Sequence, residues 1–449
     1  MPQDTGRPPE AGITDAAGRR GWPAGDRPAG TGQDPPSGPL AGVRVLDLTS
    51  VVMGPLATQI LGDLGADVIT VENRGGDINR IMSPGPRRGL SGISLNLLRN
   101  KRNIVLDAGH PEGRSALLRI AAGCDVFVSN LRPGSLNRLR LGYPDIAAAR
   151  PDVIYCQAHG FPSDSSQADA PAFDDIIQAA SGVPDVLRRA GGTSGLMPTL
   201  LADKVCGLVL TYSIIAALFH RERTGQGQHV EVPMTDAMQA FLLVEHGSAA
   251  ISRPPRGPAG YQRILTPLRG ALRTADGWIA VQPHGDAQWG ALLRAAGLDD
   301  LVGDPRLSRR GIWLDPGFGY ATLGRVLAGR TTAEWLAFCS GNGIPAAEAA
   351  GLDDLIEALP DDEHPDAGRY KLIPPPARFS ASPASVRRRA PLAGQHTREV
   401  LAEAGLAEAE IARLEAAGVL GSEPEGRAPE ASGKLSAGPA AGGTPVPRG

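Results

Sequence analysis

Apolar positions along this chain follow two periods, and the switching between them lays out its elements. Residues 44–48 form a short branched-apolar run, which predicts a buried strand. Pro55 then opens a helix at a position where its missing N–H costs nothing, and Leu56, Ile60, Leu61 and Leu64 draw an apolar stripe along it. Gly65 ends that helix, and residues 67–71 give the next strand. The unit recurs with a strand at 102–106, a helix from Pro111, and strands at 125–129 and 152–156. Strand–helix–strand units of this length predict a parallel sheet with right-handed crossovers.

Further on, residues 208–220 predict a long buried helix, and Thr224-Gly225-Gln226-Gly227-Gln228 a turn. A strand at 229–232 and a helix at about 235–248 follow. Arg253-Pro254-Pro255-Arg256-Gly257-Pro258 interrupts both periods and reads as a linker. Beyond it, strands at 271–274 and 278–282 flank the Ala275-Asp276-Gly277 turn, and amphipathic helices surround Trp289 and Trp335. The expected fold class is α/β. A large Rossmann-like parallel-sheet domain covers 39–250, a smaller α+β domain covers 260–345, and 346–420 returns to the large domain. Residues 1–38 and 421–449 are Gly- and Pro-rich with no hydrophobic period, and are expected to be disordered tails.

Composition narrows the partners. A formal charge of -3 over 449 residues gives no global attraction to nucleic acid or to an anionic membrane. Any anionic ligand must then be held by local Arg or Lys. The four cysteines have no paired spacing, which predicts buried, reduced thiols. No apolar stretch is expected to approach the ~20 residues that span a bilayer, and residues 1–20 contain no apolar core of a secretory signal. The expected location is the cytoplasm.

The candidate chemistry sits in Leu200-Leu201-Ala202-Asp203-Lys204-Val205-Cys206-Gly207, where one carboxylate precedes a helical run. On its own this pattern is also that of an N-cap. Asp174-Asp175 reads as a solvated turn or cap. No Gly-x-Gly-x-x-Gly follows the first strand, which leaves dinucleotide binding without support.

Several further segments accompany Asp203 in order: 40–48, 62–72, Asn100-Lys101-Arg102-Asn103, Asn130-Leu131-Arg132-Pro133-Gly134, Gln178-Ala179-Ala180-Ser181-Gly182, 224–228 and 391–397. Together they resemble the family III CoA-transferases of CaiB/BaiF type over about 39–420. The resemblance implies a large domain made from both chain ends, a smaller inserted domain, and an interlocked homodimer. It implies that Asp203 is a covalent nucleophile toward an acyl-CoA, with a small carboxylic acid as acceptor. That route passes through an acyl anhydride and an aspartyl-CoA thioester. It uses CoA only as substrate, with no metal and no resident cofactor. Donors at each oxyanion, worth about 3–4 kcal/mol apiece, and exclusion of water are its requirements.

The same resemblance assigns the adenosine end of CoA to Leu106, Asp107, Ala108, Asn130, Leu131 and Arg132, and a phosphate to Arg138. Arg74 stands in for a family arginine replaced here by Asn73, with Arg80 a further basic candidate. Val52 and Phe173 are assigned to the acyl pocket. Phe173 occupies the place of the histidine used by the related α-methylacyl-CoA racemases, and a phenyl ring cannot carry a proton. Val52 replaces a glutamine of formyl-CoA transferases, Pro171 and Ala172 replace a phosphate-binding lysine, and Arg256-Gly257-Pro258-Ala259-Gly260 is stiffer than the family's glycine lid. An acyl-CoA racemase and a non-catalytic CoA-binding relative are the alternative readings.

Overall fold

A computed structural model describes residues 37–308, 310–311 and 315–421, so both expected tails lie almost wholly outside the described residues. Six strands run parallel: β1 (Arg44–Leu48), β2 (Asp67–Glu72), β3 (Lys101–Leu106), β4 (Val126–Ser129), β5 (Ile154–His159) and β6 (Gln228–Pro233). Their spatial order is β3-β2-β1-β4-β5-β6. The chain between and after them forms α1 (Met53–Asp63), α2 (Gly92–Leu97), α3 (Pro111–Ala122), α4 (Pro133–Leu139), α5 (Tyr143–Ala149), α6 (Asp174–Ser181), α7 (Val183–Arg189), α8 (Leu201–Thr224) and α9 (Met234–His246).

Both faces of the sheet are covered, which is why its strands read as near-continuous apolar runs. On one face Val45, Val126, Ile154 and Cys156 pack against Ala57 and Leu61 of α1 and Cys206, Leu210 and Ile214 of α8. On the other, Leu46, Ile104, Phe127 and Tyr155 meet Leu117 and Ile120 of α3. Val400 and Leu414, from the helices Thr397–Glu403 and Glu408–Ala416, complete that second core. Residues 397–416 therefore complete the core on that face of the sheet.

A separate core forms around Ile279, Trp289, Leu323 and Trp335, beside the antiparallel strands β7 (Leu272–Arg273), β8 (Trp278–Val281) and β9 (Ala346–Glu348). A hairpin of β10 (Asp361–His364) and β11 (Gly368–Lys371) follows. Finally β12 (Leu420–Gly421) adds to the large sheet antiparallel to β3, pairing Leu420 with Leu106. Residues this short carry no periodicity, and β9 to β12 were not among the strands expected.

Two corrections concern α8. It begins at Leu201, seven residues before the expected start at 208, so Asp203 lies inside its first turn and Leu200 is the N-cap. It is also apolar and long enough, by length and hydropathy, to cross a membrane. Half of its most apolar window is buried inside the protein, where it packs on α1 and the sheet.

Candidate active site

The sheet changes direction between β1 and β4: the crossover from β1 leads to β2 on one side, while β4 lies on the other. At such a switch point the loops beyond the two carboxyl ends diverge and leave a crevice. Asp47, fully buried, anchors the β1 loop. Its Oδ1 accepts from the Thr49 N–H (2.9 Å) and Oγ1 (2.5 Å), and its Oδ2 accepts from Lys101 Nζ at 3.1 Å and Thr58 Oγ1 at 2.6 Å. Asn130, just past β4, clasps Ser50 in both directions: Oδ1 accepts its N–H at 3.0 Å and Nδ2 donates to its carbonyl at 2.9 Å.

Between these anchors Val51 takes φ +70°, a conformation that costs a β-branched residue on the order of 1–3 kcal/mol. Its N–H donates to Asp77 Oδ1 at 3.2 Å, and the same oxygen accepts from the Asn79 N–H at 2.9 Å. Burial nonetheless holds the Asp77 carboxyl up at about 6.

Two adjoining pockets open from this loop. One, of about 290 Å³, is lined by Ser50, Val51, Met53, Asn130, Leu131, Arg132, Ser135, His159, Gly160, Ala170, Pro171, Ala172, Phe173, Asp203 and Met234. The other, of about 350 Å³, includes Leu48, Thr49, Glu72, Asp77, Leu106, Asp107, Ala108 and Gly109, and shares Ser50 and Leu131 with the first. They form one extended depression across the ends of β1 to β5.

Asp203 is 8% exposed at the wall of the first pocket. Its own N–H, one of the unsatisfied donors of a helix's first turn, reaches Asp174 Oδ1 at 3.0 Å. No hydrogen bond to the Asp203 carboxylate occurs among the described residues, and burial, reinforced by the negative charge of Asp174, pushes its pKa up to about 7. Asp203 therefore does not cap its helix with its side chain. It is a weakly solvated and unusually basic carboxylate, properties that favour nucleophilic attack. Gly207, one turn on, permits this placement: a Cβ there would lie 2.8 Å from the Met53 carbonyl oxygen, where α8 crosses α1.

The other sequence candidates divide. Leu106, Asp107, Ala108 and Leu131 line the second pocket, and Asn130, Leu131, Arg132 and Phe173 the first. Phe173, 65% exposed, stands at the entrance to α6. Val52 is buried at the start of α1 and lines neither pocket; its neighbours Val51 and Met53 form that wall. Arg138 is exposed, donates to Ser135 Oγ at 2.9 Å, and lines neither pocket. Arg74 lies by Gly418 at the β3–β12 edge, also outside both pockets. Arg80 is spent in a buried fork with Glu72, with contacts of 2.6 to 2.9 Å. The segment 256–260 is pinned to the end of α9 by the Gly260 N–H, which donates to the His246 carbonyl at 2.7 Å, and contributes nothing to the first pocket.

Two residues in this site escaped the sequence reading. Asp174, expected in a solvated turn or a cap, is buried; Gln178 Nε2 donates to its Oδ2 at 2.6 Å, whereas its neighbour Asp175 is exposed. His159, the last residue of β5, also faces the first pocket. Neither position has a sequence signal that separates it from an ordinary cap or an ordinary core residue.

A doubly wound sheet with an extended depression at its switch point, and one buried unpaired carboxylate in the wall, defines a class of α/β enzyme. In such sheets ligands bind in the crevice outside the carboxyl ends of the strands. Within that class the chain belongs to CoA-transferase family III, whose family model matches residues 40–397. A probable fatty acyl-CoA transferase, Rv3272 of Mycobacterium tuberculosis, is 32% identical over 82% of this chain and 98% of its own. Its crystal structure matches with a TM-score of 0.69, at 30% identity, over 81% of this chain and 99% of that one. The succinyl-CoA:glutarate CoA-transferase of Mus musculus is 31% identical, covering 81% of this chain and 86% of that protein. A CaiB/BaiF family protein from Brucella suis superposes with a TM-score of 0.70 at 27% identity, covering 82% of this chain and all (100%) of that chain.

Proposed function

We propose that this CoA-transferase works through covalent catalysis at Asp203. A carboxylate oxygen of Asp203 attacks the thioester carbon of an acyl-CoA, the C–S bond breaks, and CoA leaves as thiolate with the bonding pair. The thiolate then attacks the Asp203 carbonyl of the resulting anhydride, expelling the donor's acid and leaving CoA on the enzyme. An acceptor carboxylate repeats the two attacks in reverse, so Asp203 ends as it began. One observation carries this reading: the Asp203 carboxylate is buried, unpaired and basic in the wall of the pocket beside the CoA candidates.

The walls suit an anhydride that water would destroy. Met53, Leu131, Ala170, Pro171, Ala172, Phe173 and Met234 contribute apolar surface to the pocket that Asp203 lines. Leu106, Asp107, Ala108 and Leu131 supply a slot for the adenosine end of CoA, one pocket away. Phe173 offers no proton carrier at the position the racemase reading requires.

Relatives named for succinyl-CoA with glutarate or mesaconate make succinyl-CoA the first donor to try, and glutarate the first acceptor. The test incubates the protein with these pairs and follows the exchanged acyl-CoA by mass spectrometry. Asp203→Ala is expected to lose turnover and still bind CoA, and hydroxylamine added with acyl-CoA is expected to modify Asp203 in the wild type. Equal rates in the mutant would refute the assignment. The protein is proposed to act as an interlocked homodimer in the cytoplasm. The buried free thiols of Cys124, Cys156, Cys206 and Cys339 suit a reducing compartment.

A further inference from the structure

His159 ends β5 in the wall of the Asp203 pocket and is 2% exposed. Both of its ring nitrogens are buried, and neither has a hydrogen-bond partner among the described residues. Leaving a polar group in that state costs about 1–3 kcal/mol, and buried polar groups that go unpaired in a site call for an explanation. Glu231 Oε1 lies 3.2 Å from Nε2 but off the ring's donor axis. Glu231 is itself held, accepting from the Ser163 N–H at 2.7 Å and Oγ at 2.9 Å. Ser163 thus keeps Glu231 beside the ring, and the Phe161 backbone also approaches it, yet neither meets a ring nitrogen in hydrogen-bonding geometry.

Two other polar side chains of that wall, Asn130 and Arg132, hydrogen-bond within the protein. Asn130 is occupied by Ser50 on both of its amide atoms, and Arg132 reaches away to the Asp169 carbonyl at 2.8 Å. In the route above the acid that receives CoA arrives when Asp203 carries CoA as a thioester, so its carboxylate enters a half-desolvated pocket with no counter-charge from Asp203. A donor able to take a positive charge offsets that desolvation.

We propose that His159 recognises the carboxylate of the acceptor acid beside Asp203. This rests on the transferase reading above. Burial keeps the free ring neutral, lowering its pKa, while Glu231, the Phe161 backbone and Asp169 favour the charged form. An arriving carboxylate tips that balance, so the acid binds together with a proton on His159. The ring is a specificity residue for the acid and has no task in holding CoA.

The test has two arms, both with succinyl-CoA as donor and glutarate as acceptor. In the first, His159→Ala is expected to raise KM for glutarate about tenfold or more, the order of one lost charge-assisted hydrogen bond. KM for succinyl-CoA should stay within about threefold, and His159→Gln, which keeps a donor, should recover part of the loss. In the second, wild-type protein labelled with ¹³C-histidine is titrated by NMR with and without glutarate, His159→Gln assigning the signal. Glutarate is expected to raise the midpoint of His159, and to do so in Asp203→Ala as well.

Unchanged glutarate KM in a folded His159→Ala, or a ring signal indifferent to glutarate in the wild type, overturns the inference. So does equal loss toward both substrates, or α-deuteration of an acyl-CoA in D₂O that depends on His159. A wild type that transfers no CoA between any pair, while its ring still responds to glutarate, defeats the transferase reading and leaves carboxylate recognition standing.

Discussion

The backbone N–H of Asp203 donates to Oδ1 of Asp174 at 3.0 Å, so one buried carboxylate holds the residue that carries another. The contact secures the first turn of α8, and Gln178 fixes Asp174 in turn through its Oδ2 at 2.6 Å. It also places a negative charge near the nucleophile, which adds to burial in raising the Asp203 pKa to about 7.

Asp174→Asn keeps an oxygen for the Asp203 N–H and removes that charge. Reaction requires ionised Asp203, so kcat/KM of the wild type should rise with pH through a midpoint at about 7. In Asp174→Asn the midpoint should move down, yet stay above the ordinary 3.8 because burial, the larger cause, remains. The pH–rate profiles of the two proteins decide this. A midpoint that stays put or rises would show that the two carboxylates do not interact.

A raised carboxyl pKa is also a cost in stability. Below about pH 4 the group is protonated in both folded and unfolded chains and has no effect. Between about 4 and 7 the folded protein keeps a proton that the unfolded chain has lost, so stability falls as pH rises. Above about 7 the whole penalty is present, on the order of 4 kcal/mol for a carboxyl carried from 3.8 to about 7. Asp203→Asn should therefore melt higher than wild type at about pH 8, match it at about pH 4, and have no turnover. Thermal melts at the two pH values measure this, and a mutant that is less stable at both would contradict the sign.

Much of this site was legible in the chain because it lies on regular elements. The apolar runs of β3 and β4 placed their ends, and hence the Leu106–Ala108 and Asn130–Arg132 loops around the depression. What stayed hidden depends on single-residue geometry. Val51 rather than Val52 faces the pocket because the backbone turns through φ +70°, for which a β-branched residue is no signal. Asp174 and Asp175 are chemically identical neighbours, and only the packing of α6 against α8 buries the first. His159 sits at the end of an apolar strand and reads as core, since Glu231, 3.2 Å from its ring, comes from β6, 72 residues later in the chain. Arg138 matched a family position and Arg74 stood beside one, but both lie outside both pockets.

Gly207 ties packing to chemistry. A methyl group there meets the backbone oxygen of Met53 at 2.8 Å, and a backbone atom cannot step aside as a flexible side chain would. Gly207→Ala should push α8 away from α1, costing about 1–3 kcal/mol, and should displace Asp203 one turn upstream with a matching fall in kcat. Gly324 is the control. It lies within the helix Pro316–Leu327 with open space around its Cβ position, so Gly324→Ala should stabilise by about 0.5–1 kcal/mol with full activity. Denaturant melts and assays of both variants test the contrast, and an active, stable Gly207→Ala would show that the helix crossing does not set the nucleophile's position.

The proposed dimer has its own signature on α8. Leu208, Tyr212 and Phe219 project from one side of this helix and are 55%, 61% and 63% exposed, although the opposite side packs on the sheet. Phe241 and Val244 on α9 add to the uncovered apolar surface. A patch of this kind on a single chain marks a surface meant to be covered, and a second copy supplies equally apolar helices. Light scattering should give about twice 46.6 kDa. The double variant Leu208→Glu with Tyr212→Glu should lose the dimer or the soluble protein altogether, because charges in a covered apolar surface go unpaired. Linked rings impose a second expectation: tagged and untagged dimers, mixed at dilution under native conditions, should not exchange subunits until they are unfolded together. Rapid exchange would leave a dimer without interlocking, and a monomeric, active wild type would remove the dimer as well.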